Sequence, residues 1–233
     1  MKKQLAFVAG IFIVGGLVAG YFIYRRFATN ERDGRVLEWI YYPERHPDWA
    51  IQARQRCGQA PFLLPTDGYI GYLWDDSFKP GHRHQGLDIF AGTQPGKTAV
   101  YSVYDGYLSR PSDWKSSVII RLPSDPLAPA RQIWTYYTHM AGPNGDSYID
   151  ARFPPGSREV FVKAGTLLGY QGNYSGTPGA PVGVHLHFSV VLDDGQGGYR
   201  NELEIQNTLD PSPYFNLRVN AKDRPDDIPH CTP

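Results

Sequence analysis

The sequence predicts an all-β domain with a mostly antiparallel sheet core, preceded by one N-terminal membrane-spanning helix and a short, partly helical stalk. Three observations carry this. From residue 61 onward, short runs of β-branched and aromatic residues alternate with Gly, Pro and Asp turns, and no segment there has a helical period. The chain holds 25 Gly, 20 Pro and 16 Tyr against two Met, which suits many turns between short strands rather than long helices. At the N-terminus, residues 5–24 form one uncharged apolar run.

That run is flanked by Lys2-Lys3 and Arg25-Arg26. A spanning helix needs about 20 apolar residues, whereas the core of a secretory signal has about 7 to 15. The length favours an uncleaved single-pass anchor over a signal cleaved at Val18-Ala19-Gly20. Two basic residues on each side leave its orientation unset. The chain then divides into an anchor at 1–27, a stalk at 28–60, a β domain at 61–215 and a tail at 216–233. In the stalk, Arg32, Asp33, Arg35, Glu38, Glu44 and Arg45 surround the cluster Trp39-Ile40-Tyr41-Tyr42, as in a short helix or two. Those aromatics either dock on the domain, meet a protein partner or pack against nothing. Cys57 and Cys231 are the only cysteines. They are candidates for one disulfide tying stalk to tail, the alternative being two unpaired thiols.

Within the β domain, extended patterns run over Gly68–Leu73, Ala99–Val103, Gly106–Ser109, Ser117–Leu122, Gln132–His139, Glu159–Lys163, Leu167–Gln171 and Val184–Leu192. Asp193 to Gly198 reads as a turn, and Asp210 to Phe215 closes the domain. Lys+Arg and Asp+Glu number 23 each, so the formal net charge is zero. Bulk electrostatics therefore gives no reason to expect a nucleic-acid partner.

The chemistry concentrates in three places. In Val184-His185-Leu186-His187-Phe188-Ser189-Val190, alternation puts His185, His187 and Ser189 on one face and Leu186, Phe188 and Val190 on the other. The second set faces a core. The first places two imidazoles about 6–7 Å apart. His84-Gln85-Gly86-Leu87-Asp88 and Tyr137-Thr138-His139 supply further His and Asp groups. Together these form an inventory for a mononuclear zinc hydrolase, since catalytic zinc takes three protein ligands at about 2.0–2.2 Å and keeps one position open. In a straight strand His84 and Asp88 would stand about 13 Å apart, too far for one ion. Pro80, Gly81 and Gly86 argue against a helix, so the pair lies on a bent loop entering a strand, with Gly86 allowing the bend. His82 competes as a ligand from the same loop.

His84-xxx-Asp88 with Gly86 inside it, Tyr137-x-His139, the run Gly165-Thr166-Leu167-Leu168-Gly169-Tyr170-Gln171-Gly172, and His185-Leu186-His187-Phe188 resemble, in order, the motifs of the lysostaphin/LytM-type zinc endopeptidases. Pro65-Thr66-Asp67-Gly68 and Val103-Tyr104-Asp105-Gly106 also look like family positions. The resemblance covers roughly Pro61 to Phe215. It implies a mostly antiparallel β core (the duplicated hybrid motif fold) with a metal-binding groove, one Zn2+ held by His84, Asp88 and His187, and an attacking water flanked by His139 and His185. It implies peptides of bacterial peptidoglycan as substrate, and so a domain on the extracytoplasmic side of the membrane, or secreted if the N-terminal segment is cleaved. Tyr72, Trp74, Tyr136, Tyr170 and Tyr174 either line the groove or fill sheet faces, and Asp75-Asp76 either contacts a substrate amine or forms a solvated turn. The stretch Gly176 to Gly183 is longer and richer in proline than expected before the HxH motif. The competing expectation is a catalytically silent member that uses the groove for wall binding, regulation or partner interaction.

Overall fold

Strands form where β-branched and aromatic residues alternate between a dry face and a wetter one, and turns form where Gly, Pro and Asp break that pattern. The computed structural model describes residues 31–77, 81–223 and 228–231. Its strands are β1 (Ala50–Ile51), β2 (Gly68–Tyr72), β3 (Leu87–Phe90), β4 (Ala99–Tyr101), β5 (Gly106–Ser109), β6 (Val118–Leu122), β7 (Ile133–Thr138), β8 (Val160–Val162), β9 (Leu167–Tyr170), β10 (His185–Leu192) and β11 (Thr208–Leu209). Helix α1 spans Glu31–Tyr41 and a single turn, α2, spans Ser212–Phe215.

Among the described residues, nine strands make one sheet in the order β1-β2-β3-β10-β7-β6-β5-β8, with β11 beside β10, while β4 and β9 form a second, two-stranded sheet. Every strand pairing is antiparallel, in agreement with the sequence reading. Strand β10 is central and long. Its Leu186, Phe188 and Val190 are fully buried in the main core, as the alternation requires. Burying each of these side chains contributes roughly 1.5–3 kcal/mol. The edges of the extended patterns shift by a residue or two, and β1 and β11, two residues each, have no readable pattern of their own.

The stalk differs from a free spacer. Val36 and Trp39 of α1 are buried in a cluster with Tyr69 of β2 and Phe90 of β3. Gly71 makes room for the helix, because a Cβ there would lie 2.6 Å from Val36 Cγ2 and 2.7 Å from the Phe90 ring. Polar links fix the docking: Trp39 Nε1 donates to Phe90 O at 2.8 Å, Tyr72 Oη donates to Asp33 Oδ1 at 2.8 Å, and Arg32 pairs with Asp76 at 2.9 Å. Strand β1 pairs with β2, so the sheet begins at residue 50, ahead of the boundary expected at 61. Cys57 and Cys231 form a disulfide with Cα atoms 5.0 Å apart, and Ile228 packs on the α1 cluster. The tail thus straps the helix to the domain. The expected membrane span at 5–24 lies outside the described residues; among the described residues no helix is long and apolar enough to cross a membrane.

Candidate functional site

Strand register assembles the site. Asp88 on β3 stands opposite His187 on β10, and His187 stands opposite Thr138 on β7. Directly opposed residues in antiparallel strands project to the same face. Asp88, His187 and Thr138 therefore form a row across three neighbouring strands, and His139 follows at the end of β7. The His139 backbone lies in the left-handed region, with φ 70°, a conformation uncommon for a non-glycine residue. Gly172 packs against that turn so closely that a Cβ would meet Ala141 O at 2.1 Å and His139 O at 2.5 Å.

His84 reaches the row from the preceding loop. Its N–H donates to Asp76 O and its carbonyl accepts from Asp75 N–H, each at 2.8 Å. The chain then bends at residue 86 into β3, so the two side chains meet, although a straight strand would hold them about 13 Å apart. The chain bends at Gly86, as expected, and the glycine has a second role. Its φ is not in the left-handed region, but a Cβ would lie 2.1 Å from Phe188 O, so the glycine permits close approach of β10.

Three atoms converge. His84 Nε2 lies 3.0 Å from Asp88 Oδ1 and 3.0 Å from His187 Nδ1, and His187 Nδ1 lies 2.8 Å from Asp88 Oδ1. Among the described residues this is the one group of three His, Cys, Asp or Glu side chains placed to hold a metal ion. Tetrahedral ligands of a zinc ion are about 3.3 Å apart, so the triangle needs only a few tenths of an ångström of expansion. The donor chemistry fits as well. Leu73 O can only accept, so His84 Nδ1, 2.9 Å away, carries a proton. A neutral His84 then turns the Nε2 lone pair toward a carboxylate oxygen and a second ring nitrogen, an arrangement a cation satisfies.

The ionisation pattern expresses the same demand for positive charge. Burial works against a charged His84, yet the facing Asp88 carboxylate and the hydrogen bonds to Asp88 and Leu73 raise its pKa. Burial likewise opposes a charged Asp88, but His84, His185 and His187 around it hold the carboxyl well below the usual carboxylate range. His187 is pushed down by burial against the pull of Asp88.

His139 and His185 stand beside this triangle with ring centroids 4.3 Å apart. Each is fixed by a main-chain carbonyl: His139 Nδ1 donates to Tyr174 O and His185 Nδ1 to Gly183 O, both at 2.7 Å. Both Nε2 atoms are thereby left as acceptors. His185 Nε2 lies 3.7 Å from Asp88 Oδ1, outside hydrogen-bond distance. Burial lowers both pKa values, His185 to about 4 with the adjacent His139 as the next cause. Both rings are therefore neutral at pH 7.

These residues floor a cavity of about 690 Å³. Of the five aromatics proposed from sequence, Tyr72, Tyr136 and Tyr174 line it, and Trp74 and Tyr170 do not. His82 also lines it without joining the converging triangle. Asp75 and Asp76 do not line the cavity: Asp75 pairs with Arg83 and Lys222, and Asp76 with Arg32. The sequence reading missed Ser116, Ser117, Glu202 and Leu203 on the walls, and Leu37 and Ile40 of α1. For the last two, the i,i+3 spacing of apolar residues on a short helix was the available signal.

No protein-family model and no curated protein matches this chain. Among solved structures, Csd3 from Helicobacter pylori aligns at 22% identity and TM-score 0.38, covering 60% of this chain and 33% of that one. The antimicrobial peptidase lysostaphin from Staphylococcus simulans aligns at 18% identity and TM-score 0.40, covering 71% and 54%. A catalytic-domain variant of the prophage-encoded M23 protein EnpA from Enterococcus faecalis aligns at 21% identity and TM-score 0.37, covering 64% and 95%. The aligned part thus spans a third of the Csd3 chain and about half of lysostaphin.

Proposed function

We propose that this chain is a zinc endopeptidase of the lysostaphin/LytM type, hydrolysing peptide bonds in the cross-links or stem peptides of bacterial peptidoglycan. The observation that carries the reading is the convergence of His84 Nε2, Asp88 Oδ1 and His187 Nδ1 on one point, with the Nε2 atoms of His139 and His185 left as acceptors beside it. The order of motifs along the sequence supports it. In this reading His84, Asp88 and His187 hold the ion and His139 and His185 handle protons.

When bound, zinc supplies Lewis acidity and brings the pKa of a water down to about 7. This chain's own residues do the rest. Asp88 and the two ligand imidazoles offer one negative charge, leaving the site net positive beside a substrate carbonyl. His139 and His185, held by Tyr174 O and Gly183 O, orient the attacking water and take its proton on Nε2. The imidazolium so formed returns that proton to the leaving amine. Peptidoglycan as substrate puts the β domain on the extracytoplasmic side of a bacterial membrane, with residues 5–24 as the anchor.

The test is release of new amino termini from purified peptidoglycan by the full-length chain, with and without added zinc, beside His139→Ala. Metal content is measured on the same samples. Zinc-dependent release that His139→Ala removes supports the reading. A folded, zinc-loaded chain that releases nothing from several wall types overturns it in favour of a wall-binding or regulatory role.

A further inference from the structure

The walls of the cavity carry a feature that the hydrolytic chemistry does not require. Three of its lining residues, Leu37, Val182 and Leu203, are large aliphatics left 48%, 38% and 68% exposed. Docking of α1 does not explain Leu37, since Val36 and Trp39 anchor the helix at 4% exposure each. Ile40 connects the helix to the reacting centre. A Cβ on Gly183 would touch Ile40 Cδ1 and the Phe90 ring, both at 3.4 Å, and the Gly183 carbonyl is the group that orients His185. Val182 is the next residue along, and its N–H is fixed to Asn173 O at 3.0 Å. The Phe90 ring stacks on His185 with centroids 5.0 Å apart. An aliphatic surface thus begins one residue from the carbonyl that orients His185. Among the described residues no Lys or Arg lines the cavity, and the lining carboxylates are Asp88 and Glu202.

Resting on the peptidase reading, we propose that Leu37 and Ile40 of α1, with Val182 of the loop entering β10, form an aliphatic subsite for an uncharged apolar side chain flanking the scissile amide. Exposed apolar surface inside a binding cleft gains by covering, and Leu37, Ile40 and Val182 themselves offer an acidic side chain no partner. The helix ahead of the β domain is then part of substrate recognition, and a chain starting at residue 61 would lack two of the three subsite residues.

The probes are acetylated, amidated tetraglycine and its single-Leu and single-Asp derivatives, presented to the zinc-loaded full-length chain. Binding is read by methyl NMR of Leu37, Ile40 and Val182 in the His139→Ala background, and turnover by kcat/KM in the wild type. Single-Leu peptides should shift those methyl signals, whereas single-Asp peptides should not. Leu37→Asn should weaken single-Leu binding by about tenfold while leaving tetraglycine within about twofold, and Leu37→Ile should retain the preference. Equal weakening of all peptides by Leu37→Asn, or methyl signals that no peptide moves, would overturn the subsite. Shifted methyls without turnover would sink the peptidase reading alone. Turnover indifferent to the side chain would sink the subsite alone. Melting of Leu37→Asn near the wild-type temperature separates these effects from misfolding.

Discussion

Opening the Cys57–Cys231 disulfide is expected to lower the stability of the whole β domain and to loosen α1 first. The bond joins residues 174 positions apart, so it closes nearly the entire described chain into one loop. Loop-closure entropy for that length amounts to about 17 cal/mol/K, or about 5 kcal/mol at 25 °C, as an upper value; native disulfides commonly deliver about 2–4 kcal/mol. For a domain of this size each kcal/mol corresponds to about 2–4 °C in Tm, so reduction should lower Tm by about 5–15 °C. Reduced wild type is the cleaner comparison, because Cys57 is 3% exposed and a Cys57→Ala change would add a packing loss of its own. The assay is thermal melting of oxidised and reduced protein by near-ultraviolet circular dichroism, which reads the packing of the aromatic side chains, Trp39 on Tyr69 among them, alongside thiol titration of the unfolded, unreduced chain. Hydrogen exchange should rise earliest in α1, since Ile228 of the tail packs on its cluster. Two titratable thiols in unreduced protein, or a Tm change under 1 °C, would refute the reasoning.

Other outcomes follow from the same geometry. His187→Ala should abolish retention of zinc through dialysis, whereas His185→Ala should keep the metal and lose turnover; release of metal by His185→Ala would reverse that division of labour. Trp39→Ala should destabilise by about 3–5 kcal/mol in denaturant melts, since it empties a buried site and leaves Phe90 O without its indole donor. Chelator-treated protein should lose stability as pH falls from 7 toward 4. The folded pKa values of His139, His185 and His187 lie below the unfolded value near 6.5, so the unfolded chain binds more protons across that window, with His84 opposing in part. A Tm that rises on acidification would contradict this. Gly86→Ala should reduce both soluble yield and zinc content, because its methyl would collide with Phe188 O.

Local patterns were legible in the sequence because they depend on short-range geometry. Alternation along His185 to Val190 identifies which side chains share a face, and that property survives any packing. Strand positions between 68 and 192 were readable for the same reason. Strand β3 was harder: all four of its residues are buried, lying between β2 and β10 with α1 against Phe90, so it shows no alternation. Gly86 was legible as special but not as a contact, because its neighbour Phe188 is more than a hundred residues away. The domain boundary was set at 61 since β1 is two residues long and pairs with a strand that follows it by seventeen.

The sequence by itself determined an antiparallel β domain and the inventory of four histidines and one aspartate, because strand alternation and ligand chemistry are properties of residues and their near neighbours. Tertiary structure alone decided that β3, β10 and β7 are adjacent in a register that sets Asp88, His187 and Thr138 in one row, and that His84 turns Nε2 rather than Nδ1 inward. It also decided that the two cysteines pair and that α1 closes one wall of the groove. Each of these depends on contacts between residues distant along the chain, and such contacts are fixed only when the whole core packs.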